Sequence, residues 1–186
     1  MQESIEDISI IDYFNLLDTS KYDFYIDILK EENRFCGNVF NVANLTFNEF
    51  KYMISVFNDP NLDNLKELFI HLFRIRGDFS VSSEKLFYNE SIFQFFKAKN
   101  FIINMMREKL KVEEKLLYSE PDTKMIEIGG YDMMRPFSTM LAKVNIGKQF
   151  GVDPEIVGNW KYTKVLNILA TNNVVSEVQR IYSNAK

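Results

Sequence analysis

Residues 90–118 are the longest regular element the sequence indicates, with no helix breaker along them. Along it Ile92, Phe93, Phe96, Ile103, Met106, Leu110, Leu117 and their neighbours recur at three- and four-residue steps. Such a pattern specifies a helix, and at 1.5 Å per residue it runs roughly 40 Å, longer than a compact bundle of this mass requires. The expected fold is therefore mainly α: an irregular helical bundle around one long central helix. That helix is either a spine for shorter helices or an arm shared with a partner. The run Ile92-Phe93-Gln94-Phe95-Phe96 is apolar on more than one face. Phe93 and Phe96 are thus either core residues buried on two sides or candidate interaction residues.

Composition decides whether such a bundle can close. With 186 residues, 46% of them apolar and 17 Phe and 9 Tyr among them, the chain has enough apolar mass to bury roughly 70% of its unfolded surface without staples. A single cysteine, Cys36, excludes an intramolecular disulfide, and a single histidine, His71, excludes a zinc site built on two or more Cys/His ligands. No metal and no cofactor is expected. The pair Gly129-Gly130 lacks the spacing and the lysine of a phosphate-binding GxxxxGK[ST] loop, and no GxGxxG follows a strand. The first residues carry acids where a secretory signal needs bases, so the mature chain is expected to start near Met1. No stretch approaches the roughly 18 apolar residues of a bilayer crossing, so no membrane association is expected and the compartment is read as a reducing cytoplasm.

The shorter elements follow from caps and stops. In Leu45-Thr46-Phe47-Asn48-Glu49, Thr46 and Glu49 have the spacing of a capping box, and Phe50, Met53, Ile54 and Phe57 then line one face until Asp59-Pro60. A second helix over residues 62–75 carries Leu62, Leu65, Leu68, Phe69, Leu72, Phe73 and Ile75 and ends before Gly77. His71 on that helix is expected at the core boundary, bonded to Glu67 at i−4. Cys36, beside one arginine in Arg34-Phe35-Cys36-Gly37, is read as a half-buried inert thiol. Residues 119–134 break the long helix. Within them residues 124–128 alternate as a short strand, which pairs with residues 79–82 in a small β-hairpin if a hairpin forms. After the break come helices over residues 135–150, 154–158, 162–171 and 174–183, with Asp153-Pro154 as a start signal and Gly151 as a stop. The chain is read as a helical domain over residues 1–128, holding the long helix, with a C-terminal helical subdomain over residues 129–186 packed on it, a single domain being the alternative. No internal repeat is visible.

Net charge is −4, unevenly spread: residues 1–60 hold 11 Asp/Glu against 4 Lys/Arg, a net of −7, and the remainder holds 15 against 18, a net of +3. Opposite ends of neighbouring copies can therefore attract. A pI of 5.2 argues against nucleic acid, and the helix-turn-helix outline around Asp153-Pro154 is cut by Gly158 and carries Glu155 where base-reading groups belong. Carboxylate-only catalysis on Glu113, Glu114 or Asp122 lacks any supporting pocket signature. No catalytic residue is assigned, and the chain is read as non-enzymatic.

The only tryptophan, Trp160, stands two residues before Tyr162. Both are candidate interaction residues, with a small-core anchor as the alternative for Trp160. Around them lie Gly129-Gly130-Tyr131-Asp132-Met133-Met134-Arg135-Pro136-Phe137, then Leu141-Ala142, Phe150-Gly151-Val152-Asp153-Pro154-Glu155-Ile156-Val157, and Trp160-Lys161-Tyr162-Thr163-Lys164-Val165-Leu166. This pattern resembles the endings of small helical proteins of tailed bacteriophages, of the tail-assembly chaperone or neck, tail and baseplate accessory types. The resemblance covers roughly residues 129–170 and implies a virion component or assembly factor acting on other phage proteins. A homo-oligomer or ring, located in the virion or in the host cytoplasm during assembly, goes with it. A transient tail-assembly chaperone and a host-directed regulatory binding protein are the alternatives.

Overall fold

A computed structural model describes residues 8–184. The fold is mainly α. Its helices are α1 (Ile10–Phe14), α2 (Ser20–Asp27), α3 (Phe47–Asn58), α4 (Leu62–Leu72), α5 (Ser83–Asn89), α6 (Ile92–Leu117), α7 (Thr123–Glu127), α8 (Gly130–Met134), α9 (Ser138–Phe150), α10 (Pro154–Gly158) and α11 (Tyr162–Asn184). The expected long helix is α6, with 26 residues. The chain divides into two compact units, one of Met1–Val42 with Met53–Glu108 and one of Ala43–Tyr52 with Lys109–Lys186. The boundary at 128/129 read from the sequence falls inside the second.

Unit 1 is organised around an aromatic core that a loop residue completes. Asn33 clips the loop by accepting from the Phe40 amide at 3.1 Å and donating to the Phe40 carbonyl at 2.9 Å. Inside that clip Phe35 and Asn38 exchange two backbone hydrogen bonds of 2.9 Å. The two residues between them, Cys36 and Gly37, have φ of 45° and 74°, as a two-residue hairpin turn with both central residues left-handed requires. This turn drives Phe35 among Phe69 of α4, Phe87 of α5 and Phe95 of α6, at ring-centroid distances of 5.0, 5.6 and 6.4 Å, all four rings being fully buried. Tilted and edge-to-face rings of this kind add to the burial they already contribute.

Helix α4 buries Leu65, Leu68, Phe69 and Leu72, and Asn61 caps it through the Asn64 amide. It ends earlier than the periodicity indicates, because Arg74 turns left-handed at φ 54° and the Ile75 amide returns to the Ile70 carbonyl at 3.0 Å. His71 is exposed, as is Glu67. Its exposure places it outside the expected core boundary.

The expected β-hairpin does not form. Among the described residues no strand is longer than an isolated bridge. Asp78 gathers the segment after it into a turn, its carboxylate accepting from the amides of Ser80 and Val81 at 2.7 and 2.9 Å. Residues 124–128 alternate in hydropathy, yet Asp122 accepts from the Lys124 and Met125 amides at 2.8 and 3.2 Å and starts α7 there. A side-chain cap satisfying two orphan donors outweighs five residues of weak alternation.

Both units use the same device to start their principal helices. In unit 1 the Ile10 amide donates to the Glu90 carbonyl at 2.9 Å and the Ile92 amide to the Ile8 carbonyl at 2.8 Å, so the starts of α1 and α6 pair as an antiparallel bridge. In unit 2 the Phe47 amide donates to the Trp160 carbonyl at 3.0 Å and the Tyr162 amide to the Leu45 carbonyl at 2.8 Å, pairing the starts of α3 and α11. Each bridge satisfies two of the amides that a helix start leaves unpaired. The first helical residues, Ile10, Ile92, Phe47 and Tyr162, are all buried. This is a structural repeat with no sequence repeat behind it, because the bridge uses backbone atoms alone.

Helix α11 corrects a further expectation. The sequence divides it into residues 162–171 and 174–183, but one helix of 23 residues runs through both. The division arose because the apolar stripe changes sides midway, not because the backbone breaks.

Candidate interaction surface

The segment around Trp160 is built from the turn before it. Gly151 closes α9 at φ 65°, and the Val152 amide returns to the Gly147 carbonyl at 2.9 Å. A Cβ on Gly147 would lie 2.7 Å from the Val152 carbonyl oxygen, so the close return of the chain requires glycine there. Asp153 caps α10 by accepting from the Glu155 amide at 2.7 Å, with Pro154 at the first helical position. Lys143 on α9 is buried, and its Nζ reaches the Glu155 carboxylate at 2.7 Å. Gly158 faces the Asn48 side chain so closely that a Cβ would overlap it.

Trp160 is half-buried. Its ring meets Phe150 edge-on at 5.6 Å, and the Lys164 ammonium lies 3.4 Å from the ring centroid. With its carbonyl in the bridge to α3, it anchors the start of α11. Tyr162 is 2% exposed. Its ring lies 4.2 Å from that of Phe50, and its hydroxyl donates to Glu113 at 2.9 Å. The other Glu113 oxygen accepts from Lys51 at 2.7 Å. Burial first, and the Glu113 charge second, push the Tyr162 phenol well above its ordinary range, so it stays a donor. Burial alone lowers the pKa of Lys109, whose ammonium lies 5.3 Å from the Tyr162 ring centroid.

The three carboxylates considered for catalysis have separate surroundings. Glu113 holds the Lys51 and Tyr162 bridge, Asp122 caps α7, and Glu114 is exposed. Cys36 in unit 1 is half-buried, with its Sγ 3.6 Å from the Leu86 carbonyl. Burial, then the neighbouring Glu90 carboxylate, push its thiol up to about 12, which matches the inert reading. Among the described residues no group of three or more His, Cys, Asp or Glu side chains could hold a metal ion. Among the same residues no helix is long and apolar enough to cross a membrane.

Phe93 and Phe96 in unit 1 are both half-buried on α6. Phe96 meets Tyr13 of α1 at 5.8 Å, and the Lys99 ammonium lies 5.3 Å from its ring centroid. Phe95 between them is the residue that reaches the aromatic core, so the two-sided burial inferred for this run is shared among neighbours.

Other large apolar side chains are exposed. In unit 2, Ile126, Ile128, Met133, Met134, Phe137 and Met140 are exposed on the consecutive short elements from α7 to α9. Val174, Val175, Val178, Ile181 and Tyr182 are exposed on α11. An open cavity of about 220 Å³ lies between the end of α9 and α11, lined by Gln149, Phe150, Asn167, Ile168, Thr171 and Asn172. Of these, the sequence marks only the pair Met133-Met134 as adaptable contact surface, with flexible core filling as the alternative. The phase shift of the stripe after Leu166 was the available signal for the α11 group.

Compared with known proteins, the chain matches no family model, no curated protein and no solved structure. Its class rests on its own architecture, a mainly α fold of two helical units.

Proposed function

We propose that this protein works through its surfaces, without catalysis of its own, as a structural component or assembly factor in the neck, tail or baseplate region of a tailed phage. The observation that carries this reading is the row of large apolar side chains on the consecutive elements from α7 to α9, where Ile128, Met133 and Phe137 are 68, 72 and 61% exposed. Single exposed apolar residues are ordinary, but a concentration of them marks a contact surface. Met133, Met134 and Met140 suit such a surface, since unbranched thioethers adapt to differently shaped partners. The row also overlaps residues 129–170, the segment that resembles phage assembly proteins. The partners in this reading are other phage proteins and further copies of the chain, in the virion or in the host cytoplasm during assembly.

A transient tail-assembly chaperone would use the same surface and leave the particle afterwards. The charge distribution favours a host-directed binding protein as a second reading: unit 1 holds 16 Asp/Glu against 10 Lys/Arg, a net of −6, and unit 2 holds 10 against 12, a net of +2. Mass spectrometry of purified particles separates these readings. Many copies per particle support the structural role. Absence from particles together with binding to an unassembled tail subunit supports the chaperone, and binding only to a host protein overturns the phage-assembly reading.

A further inference from the structure

Helix α11 presents opposite faces along its two halves. Tyr162, Val165 and Leu166 bury one side of its first half. At 100° per residue the same side continues through Asn173, Glu177 and Arg180. That continuation is polar, and it too is tied to the chain: the Asn173 amide donates to the Tyr118 carbonyl at 3.0 Å, and Arg180 meets Glu120 at 3.0 Å and Glu177 at 2.9 Å. These contacts turn the polar side of the second half towards residues 118–120. The apolar residues Val174, Val175, Val178 and Ile181 therefore point outward, each between 49 and 62% exposed.

We propose that this outward face is a two-fold self-association surface, covered by the same face of a second copy of this chain. Val175, Val178 and Tyr182 follow one another at three- and four-residue steps, the spacing of a two-helix coiled-coil seam, while Ile168 and Thr171 on the same side line the cavity beside α9. Val174 and Ile181 flank that seam. No charged residue lies on this face between positions 168 and 182, since Lys164 precedes it and Glu177 and Arg180 sit on the tethered side. An identical face therefore meets no like charge, and an isologous contact of this kind closes on itself as a dimer. At ordinary side-chain areas the exposed residues offer about 500 Å² per copy, hence about 1,000 Å² in all, the lower bound for a specific interface. A contact of this size is expected to be reversible. This inference rests on the reading of the protein as one that acts through surfaces, and it names one partner.

Sedimentation equilibrium of the full chain from about 1 µM to about 500 µM tests it. The expected result is a concentration-dependent rise from the mass of one chain to that of two. Val178→Glu is expected to stay a monomer throughout, with unchanged circular dichroism because Val178 is exposed. Val178→Cys is expected to give a disulfide-linked dimer on mild oxidation that the wild-type chain, with only the half-buried Cys36, does not give. A wild-type chain that remains monomeric over the whole range overturns the proposal, as does self-association that Val178→Glu leaves intact. Loss of this dimer would leave the particle reading standing, and absence of the protein from particles would leave the dimer standing.

Discussion

At the scale of single residues, stability is concentrated where a loop side chain enters a helical core. Phe35 is fully buried against Phe69 and Phe87 although it belongs to no helix. Phe35→Ala should cost about 3–5 kcal/mol, measured by urea unfolding. A cost below about 1 kcal/mol would show that this ring is not central to the core. Cys36 on the same turn links stability to pH. Its folded-state pKa is raised to about 12 from 9.0, so below pH 9 both folded and unfolded states keep the proton and the full contribution is present. As pH rises from 9 towards 12 only the unfolded chain ionises, and stability falls. Cys36→Ala should flatten that alkaline decline relative to the wild-type chain. An unchanged decline would locate the titrating group elsewhere. Phe35 was not legible as core because its burial comes from a turn with two left-handed residues, and Cys at a positive φ gives no sequence signal.

At the scale of elements, caps carried most of what was legible. The Thr46 amide donates to the Glu49 carboxylate at 2.8 Å and the Glu49 amide to the Thr46 hydroxyl at 3.2 Å, as their spacing indicates. Asp153 and Gly151 likewise bound α10 and α9 as expected. Thr46→Ala and Glu49→Ala should each destabilise by about 1 kcal/mol, with the double variant losing less than their sum because they share one motif. Full additivity in thermal unfolding would mean that the box does not act as a unit. The contact between α10 and α3 gives a second test. Gly158→Ala should destabilise by about 1–3 kcal/mol through overlap with Asn48, and Asn48→Ala should restore part of that loss. No recovery in the pair would place the strain elsewhere. Periodicity misled at α11 because a stripe that changes sides resembles two helices, and at residues 124–128 because Asp122 capping overrides local alternation.

For the whole molecule, the mainly α class was readable from the uninterrupted pattern that became α6, whereas the division into two units was not. The division falls within α3 and α6, so no change of composition or linker marks it. The interaction residues named from the sequence were the aromatic ones, and the structure gives those aromatics internal work: Tyr162 is buried on Glu113, Trp160 packs on Phe150, and Phe96 packs on Tyr13. The apolar residues that are exposed are others, among them Met133, Phe137 and the valines of α11. We propose that these outward apolar groups bind assembly partners. The most direct test is quantitative mass spectrometry of particles from phage encoding either the wild-type chain or the Met133→Lys, Phe137→Lys variant, both sites being exposed enough to leave folding intact. The expected result is many wild-type copies per particle and a loss of at least about tenfold in the variant, equivalent to about 1.4 kcal/mol of binding. Equal incorporation of the two chains, or absence of the wild-type chain from both particles and assembling tails, would contradict it.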